Sequence, residues 1–315
     1  MSAARGSVGI LMPGQGSQVV GMGKDLAEAF PEVRWTFEEA DDALGAPLSR
    51  LCWEGPESEL TLTVNAQPAL LVHSVAVWRL LGERQSDAGV AAGHSLGEFS
   101  AYVAAGSLAF ADAVRTVRRR GELMLASGTE RPGTMAAVLG LDDAVVEAVC
   151  RDASAAGDGE VVPANYNAPG QVVVSGDVEA VKRAEDGLKA AGARRVIPLN
   201  VSGAFHSPLM AVAEQGLREQ LESVNLGDPA FPVVSNVSAE AIDSGGEARE
   251  LLVRQLTSPV RWVASEQAML ARGVQEFWEL GAGSVLAGLM KRVDRDVPTR
   301  SLGTVREIDD FLGKG

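Results

Sequence analysis

Gly93-His94-Ser95-Leu96-Gly97 sets a serine between two glycines in the spacing G-x-S-x-G. That spacing marks a nucleophile on a sharp strand-to-helix turn. Small residues two before and two after the serine let strand and helix pass closely, and the turn exposes the hydroxyl. The helix that follows aims its first N–H groups at a developing oxyanion. In a chain with 35 glycines the five-residue pattern alone is weak, so its surroundings decide. Residues 90–92 read as a short strand and residues 96–105 as a small-residue helix, the context such a turn requires.

A serine nucleophile needs a base, and the chain has 3 histidines. His73 lies inside the apolar stretch 68–81 and reads as a core histidine. His94 adjoins Ser95, but neighbours on such a turn point in different directions. His206 remains, in the small-residue loop Val201-Ser202-Gly203-Ala204-Phe205-His206-Ser207-Pro208, where base residues tend to sit. No acidic third member is evident. Two glycine-rich turns fail as nucleotide loops: Gly14-Gln15-Gly16 has Val19 where G-x-G-x-x-G needs glycine, and Gly23-Lys24 is followed by Asp25 rather than Ser or Thr.

The elements that must hold these residues alternate. Residues 8–12 read as a buried strand ended by Pro13-Gly14, and residues 68–81 as a core helix with Pro68 in its first turn. Residues 110–125 read as a helix with Phe110, Val114, Val117, Gly121 and Met124 on one face. Arg119 then points to solvent, while Arg118 and Arg120 flank the apolar face and helical phase does not choose between them. Residues 275–280 read as a strand entering the turn Gly281-Ala282-Gly283 and a further helix. This rhythm predicts a parallel sheet with helices on both faces. Residues 134–199 break it with the order β-α-β-β-α-β, a ferredoxin-like unit whose middle strands meet at Pro169-Gly170, placed as a type II turn requires. The fold class expected is α/β: a hydrolase-like parallel-sheet domain, residues 1–127 and 199–315, carrying a small ferredoxin-like domain, residues 128–198.

Composition sets limits. The chain has 315 residues, enough for about two domains on the usual figure of ~150 each. Lys+Arg is 28 and Asp+Glu 42, a net charge of −14, which disfavours nucleic acid and anionic membranes as partners. Cys52 and Cys150 make neither a disulfide framework nor a zinc site. No apolar run reaches the ~18 residues of a transmembrane helix, and residues 1–14 do not read as a secretory signal. A cytoplasmic location is the expectation.

The chain resembles the malonyl-CoA:acyl carrier protein transacylases, the acyltransferases of fatty acid and polyketide synthesis. The resemblance rests on ordered motifs: Pro13-Gly14-Gln15-Gly16-Ser17-Gln18, Gly93-His94-Ser95-Leu96-Gly97-Glu98, Arg120-Gly121 and Tyr166-Asn167-Ala168-Pro169-Gly170-Gln171. Gly203-Ala204-Phe205-His206-Ser207, Gln255-Leu256 before Pro259-Val260, and Gly281-Ala282-Gly283 complete the series. It implies that Ser95 carries the acyl group and His206 acts as base and acid. It implies that a backbone carbonyl of Gln255, a residue expected at the substrate along with Arg120, Phe205 and Asn167, orients the histidine in place of a carboxylate, and that the N–H groups of Gln15 and Leu96 form the oxyanion hole. Between the two flanking arginines it selects Arg120, whose guanidinium would hold the free carboxylate of a malonyl group bidentately. Asn167 would line the site, although a turn residue serves equally well there.

Phe205 before the histidine and Leu96 after the serine imply malonyl rather than methylmalonyl, a discrimination of about 1–3 kcal/mol. The substrates implied are malonyl-CoA and the phosphopantetheine thiol of an acyl carrier protein, with no metal or redox cofactor. Because such carriers are acidic, Arg194, Arg195, Lys291 and Arg292 are the expected local basic patch. The rivals are an acyltransferase acting in trans on a polyketide synthase, a thioesterase or acyl hydrolase using the same Ser95 and His206, and an inactive carrier-docking protein.

Overall fold

The computed structural model describes residues 6–313. Part of the stretch 1–14, read above for a secretory signal, therefore lies outside the described residues. Among the described residues ten strands form two sheets: β1 Val8–Met12, β2 Ala88–Gly93, β3 Gly133–Leu139, β4 Val161–Ala168, β5 Gln171–Asp177, β6 Arg195–Pro198, β7 Val233–Val234, β8 Ala241–Ile242, β9 Glu276–Leu280 and β10 Thr299–Leu302.

The larger sheet runs β10-β9-β1-β2-β7-β8. Its first five strands are parallel, and only the two-residue β8 at the edge is antiparallel, so the expected parallel sheet needs that one correction. Side chains alternate across a strand, and the core divides accordingly. Val8, Ile10 and Met12 of β1, Ala91 of β2 and Trp278 of β9 join a core that includes residues of the helices Thr63–Leu80 and Phe110–Glu130. Leu11, Val90, Ala92 and Phe277 face the other way, onto the helices Trp262–Ala271 and Val285–Val293. Helices thus cover both faces, as a mostly parallel sheet requires.

The smaller sheet is antiparallel in the order β4-β5-β3-β6, the order a βαββαβ unit produces. Its helices Asp143–Ala155 and Val178–Ala190 bury Val146, Cys150, Val181 and Leu188 against Val138, Val172 and Val174 on one face. From the other face Met135, Ala164 and Val173 enter the large core. Backbone bonds from Tyr166 N–H to the Val260 carbonyl (2.9 Å) and from Val260 N–H to that of Ala164 (2.8 Å) tie the smaller sheet to the segment that leads into the helix Trp262–Ala271.

Two helices differ from expectation. The core helix starts at Thr63, so Pro68 is its sixth residue rather than a first-turn residue and costs it one intrahelical hydrogen bond. Burial of Ala66, Gln67 and nearly all that follows outweighs that loss. The helix expected to end at residue 125 continues to Glu130, because Ser127 and Gly128 are buried in turn. Among the described residues no helix is long and apolar enough to cross a membrane.

Candidate active site

The serine turn follows β2 directly. Ser95 has φ +52°, a left-handed conformation that costs a non-glycine residue of order 1–3 kcal/mol and recurs at functional turns. The flanking glycines are required by contact. A Cβ on Gly93 would lie 1.9 Å from the Gly97 carbonyl carbon, and one on Gly97 would lie 2.0 Å from the Met12 carbonyl oxygen. The helix Gly97–Ala104 follows immediately. The Ser95 N–H donates to Asn236 Oδ1 (2.7 Å), and Asn236 Nδ2 donates to the Gly93 carbonyl (2.8 Å), clamping the turn from β7's end.

Ser95 Oγ lies 2.8 Å from His206 Nε2. His206 also has a left-handed backbone, φ +55°, and is 4% exposed. Its Nδ1 is 2.8 Å from the Gln255 carbonyl. A carbonyl only accepts, so Nδ1 carries the proton and Nε2 offers its lone pair to the serine O–H. Burial and the neighbouring Arg120 charge push the imidazole down to about 3, so it is a neutral acceptor at physiological pH. The other histidines stand as the sequence indicated. His73 is buried with Nε2 at the Gly303 carbonyl (3.0 Å), and His94 turns away from Ser95 to Asn167 Oδ1 (2.8 Å).

Of the three consecutive arginines the structure brings only Arg120 to the serine. Arg119 pairs with Glu122 on the exposed face, and Arg118 donates to Asn65. Arg120 is 1% exposed. Its NH1 donates to Gln67 Oε1 (2.8 Å), and its NH2 to Gln255 Oε1 (2.9 Å) and Ser95 Oγ (3.1 Å). Gly121 allows this placement: a Cβ there would lie 2.8 Å from Val64 Cα, so the helix Thr63–Leu80 comes close enough for Gln67 to reach the guanidinium. Burial lowers the guanidinium to about 10, with the Glu98 charge opposing, so it remains a cation. Among the described residues no carboxylate touches it, and its Nε is buried without a partner.

These groups line a cavity of about 400 Å³ between the sheets, with Gln15, Leu96 and Phe205 from the large part and Asn165, Asn167 and Val173 from the small sheet. Gln15 Oε1 accepts from Thr63 Oγ1 (3.0 Å), which fixes its loop beside the serine turn. Unlike the N–H of Ser95, those of Gln15 and Leu96 have no intramolecular partner among the described residues. Gln255, expected at the substrate, is fully buried behind the cavity wall, its carbonyl on His206 and its amide on Arg120, the Ser95 carbonyl and Glu98. Arg292 bonds to Pro169 and Gln171 of the β4–β5 turn, and Arg194 packs on Gly140 beside that turn.

Sequence reasoning missed three partners. Asn236 follows a two-residue strand and carries no motif of its own. Gln67 precedes a proline in a stretch read as starting at residue 68. Glu98 stood inside the serine motif, and a carboxylate in the first turn of an apolar helix was the available signal.

The family model for the acyl transferase domain matches residues 10–311. The malonyl CoA-acyl carrier protein transacylase of Bacillus subtilis is 46% identical over 302 residues, covering 96% of this chain and 95% of the relative. That of Escherichia coli is 47% identical over 285 residues, 90% of this chain and 91% of the relative. Among solved structures, a malonyl-CoA:acyl carrier protein transacylase from Xanthomonas oryzae superposes with a TM-score of 0.94 at 42% identity, covering 98% of each chain. A malonyl-transacylase in complex with a type II polyketide synthase acyl carrier protein superposes at 0.93 with 43% identity, over 98% of this chain and 99% of its own.

Proposed function

Because the chain belongs to the acyl transferase family, we propose that it moves a malonyl group from malonyl-CoA to the phosphopantetheine thiol of an acyl carrier protein through a malonyl ester of Ser95. The observation that carries this reading is Arg120: a cation with no carboxylate in contact, buried against the hydroxyl of a Ser–His pair.

In the first half-reaction His206 Nε2 takes the Ser95 proton as Oγ attacks the thioester carbonyl. The oxyanion forms where the N–H groups of Gln15 and Leu96 converge. The carbon–sulfur bond breaks, and His206 returns the proton to the departing thiolate of coenzyme A. In the second half the carrier thiol gives its proton to His206 and attacks the ester, and Ser95 leaves with that proton. The Gln255 carbonyl stabilises the imidazolium formed in each half. Acylation also turns the serine oxygen into a poorer acceptor, which frees the Arg120 NH2 donor for the acyl carboxylate. Charge-assisted bonds of about 1.5–3 kcal/mol correspond to a preference for malonyl over acetyl of roughly 10- to 150-fold. Phe205 fills the space a 2-methyl branch would need, and equal use of malonyl-CoA and methylmalonyl-CoA in competition would contradict that assignment.

The division into residues 1–127 with 199–315 and residues 128–198 fits this reading, since the carrier's pantetheine arm would reach Ser95 between the two parts. Arg194, Arg195, Lys291 and Arg292 are the docking patch. The reading calls for no metal or redox cofactor and places the enzyme in the cytoplasm, where its substrates occur. The test is transfer of radiolabelled malonyl from malonyl-CoA to the holo-carrier. Stoichiometric label on the carrier supports the proposal, and release of free malonate instead would make the chain a hydrolase. Charge reversal across the patch should slow carrier labelling while loading of Ser95 is unchanged; unchanged carrier kinetics would remove the patch from the account.

A further inference from the structure

Glu98 is a carboxylate with no solvent exposure, two helical residues past the serine turn. Its Oε2 accepts from Gln255 Nε2 (2.7 Å) and from the Asn236 N–H (3.1 Å), while its Oε1 has no partner. The Gln255 amide is held between opposite charges. Its NH2 faces Glu98 and the Ser95 carbonyl, and its Oε1 faces Arg120. A flipped amide would set oxygen against carboxylate and N–H against guanidinium, so the orientation is fixed. One residue, Gln255, therefore links the carboxylate to the guanidinium through its side chain and to His206 through its carbonyl.

We infer that Glu98 is a positioning residue that sets how tightly Arg120 holds the acyl carboxylate: it fixes the Gln255 amide, and its charge competes across that amide with the carboxylate that arrives. The inference rests on the proposed malonyl chemistry.

Among the described residues one group of opposite sign acts on Glu98. Arg120 from the helix Phe110–Glu130 is the cation that acts on it, at the remove of one amide. On its own helix Tyr102 is a neutral phenol, pushed well up by burial and by Glu98 itself, with Glu247 of the helix Gly245–Arg254 beyond it. His73 of the helix Thr63–Leu80 is held neutral by burial, as are His94 and His206 at the serine. The adjoining strands β1, β2 and β7 bring no titratable side chain. Burial raises Glu98 to about 7, against the hydrogen bonds from Asn236 and Gln255 and the Arg120 charge. An acyl carboxylate on Arg120 offsets that favourable charge and raises Glu98 further. Binding malonyl is then linked to uptake of a proton, which goes to the unpartnered Oε1, and is tighter at lower pH.

The test is the rate of Ser95 loading at pH 6 to 8, with malonyl-CoA and with acetyl-CoA, whose identical phosphates correct for their own titration. In the wild type KM for malonyl-CoA should rise severalfold across this range relative to acetyl-CoA. Glu98→Gln keeps an acceptor for Gln255 and Asn236 but no charge. It should abolish the slope and lower the malonyl KM at pH 8 by more than it changes the acetyl KM. Glu98→Ala, which frees the amide, should reduce loading by both thioesters. A Glu98→Gln slope equal to wild type, or equal effects on both thioesters, would overturn the inference. Should Glu98→Gln not fold, calorimetry of malonyl-CoA binding to Ser95→Ala at pH 7 in two buffers counts the protons. Net uptake absent with acetyl-CoA supports the linkage, and none defeats it. Absence of any malonyl ester on the wild type would instead defeat the proposed function.

Discussion

Ser95 is held by more than its motif. Asn236 accepts from the serine N–H and donates to the Gly93 carbonyl, so both ends of the strained turn depend on one side chain. Asn236→Ala should leave the part-buried Ser95 N–H and the buried Gly93 carbonyl without this partner, at a cost of about 1–3 kcal/mol. It should also slow Ser95 loading more than it raises KM, because the turn geometry matters most in the transition state. Denaturant unfolding and pre-steady-state loading check the two parts, and a variant equal to wild type in both would contradict this role. The sequence made the nucleophile and base legible, since a serine on a glycine-flanked turn and three histidines leave few assignments. It did not make Asn236, Gln67 or the Glu98 network legible. Hydrogen bonds between residues 141 or 157 positions apart leave no trace in local spacing. For Arg118 and Arg120, phase left two choices, and close packing at Gly121 decides between them.

At the scale of elements, the glycine pair is the strictest demand. Gly97→Ala forces a methyl to 2.0 Å from the Met12 carbonyl oxygen, a backbone atom that cannot yield without separating the serine helix from β1. This variant should fail to fold or lose loading altogether. Gly288→Ala is its counterpart: the residue is exposed in the helix Val285–Val293, and a Cβ there meets nothing within 4 Å. It should stabilise the chain by about 0.5–1 kcal/mol. Thermal midpoints of the two variants check both, and similar midpoints would show that the turn tolerates expansion. Most elements were legible because apolar periodicity and Pro-Gly punctuation agree, as at Pro169-Gly170, where Gly170 has φ +67°. The starts and ends were less so. The helix Thr63–Leu80 begins before Pro68 because tertiary burial outweighs a missing hydrogen bond, a term absent from local pattern.

Across the whole molecule, two sheets meet over one cavity, and the groups they bury set the response to pH. His73 and His206 are lowered from 6.5 to about 4 and about 3, and His94 is lowered as well. Their stabilising contribution is complete above pH 6.5 and is lost as pH falls through the folded values. Glu98 and Glu266 are raised from 4.5 to about 7 and about 8, chiefly by burial. Their contribution is complete below pH 4.5 and is lost as pH rises through those values. The two groups oppose each other between pH 4.5 and 6.5, so the thermal midpoint should be broadest there and decline on both sides. Glu266→Gln should flatten the alkaline decline. An unchanged alkaline slope in that variant would show that folding does not raise this carboxyl above its unfolded value.

Covalent malonyl transfer through Ser95 is the claim on which the rest depends. Intact-protein mass after mixing with malonyl-CoA tests it most directly, with Ser95→Ala and Arg120→Ala alongside. One malonyl adduct is expected on the wild type and none on Ser95→Ala, with discharge on adding holo-acyl carrier protein, and with malonyl loading lost from Arg120→Ala while acetyl loading is gained. An unmodified wild type releasing free malonate, or an adduct that persists in Ser95→Ala, would contradict it.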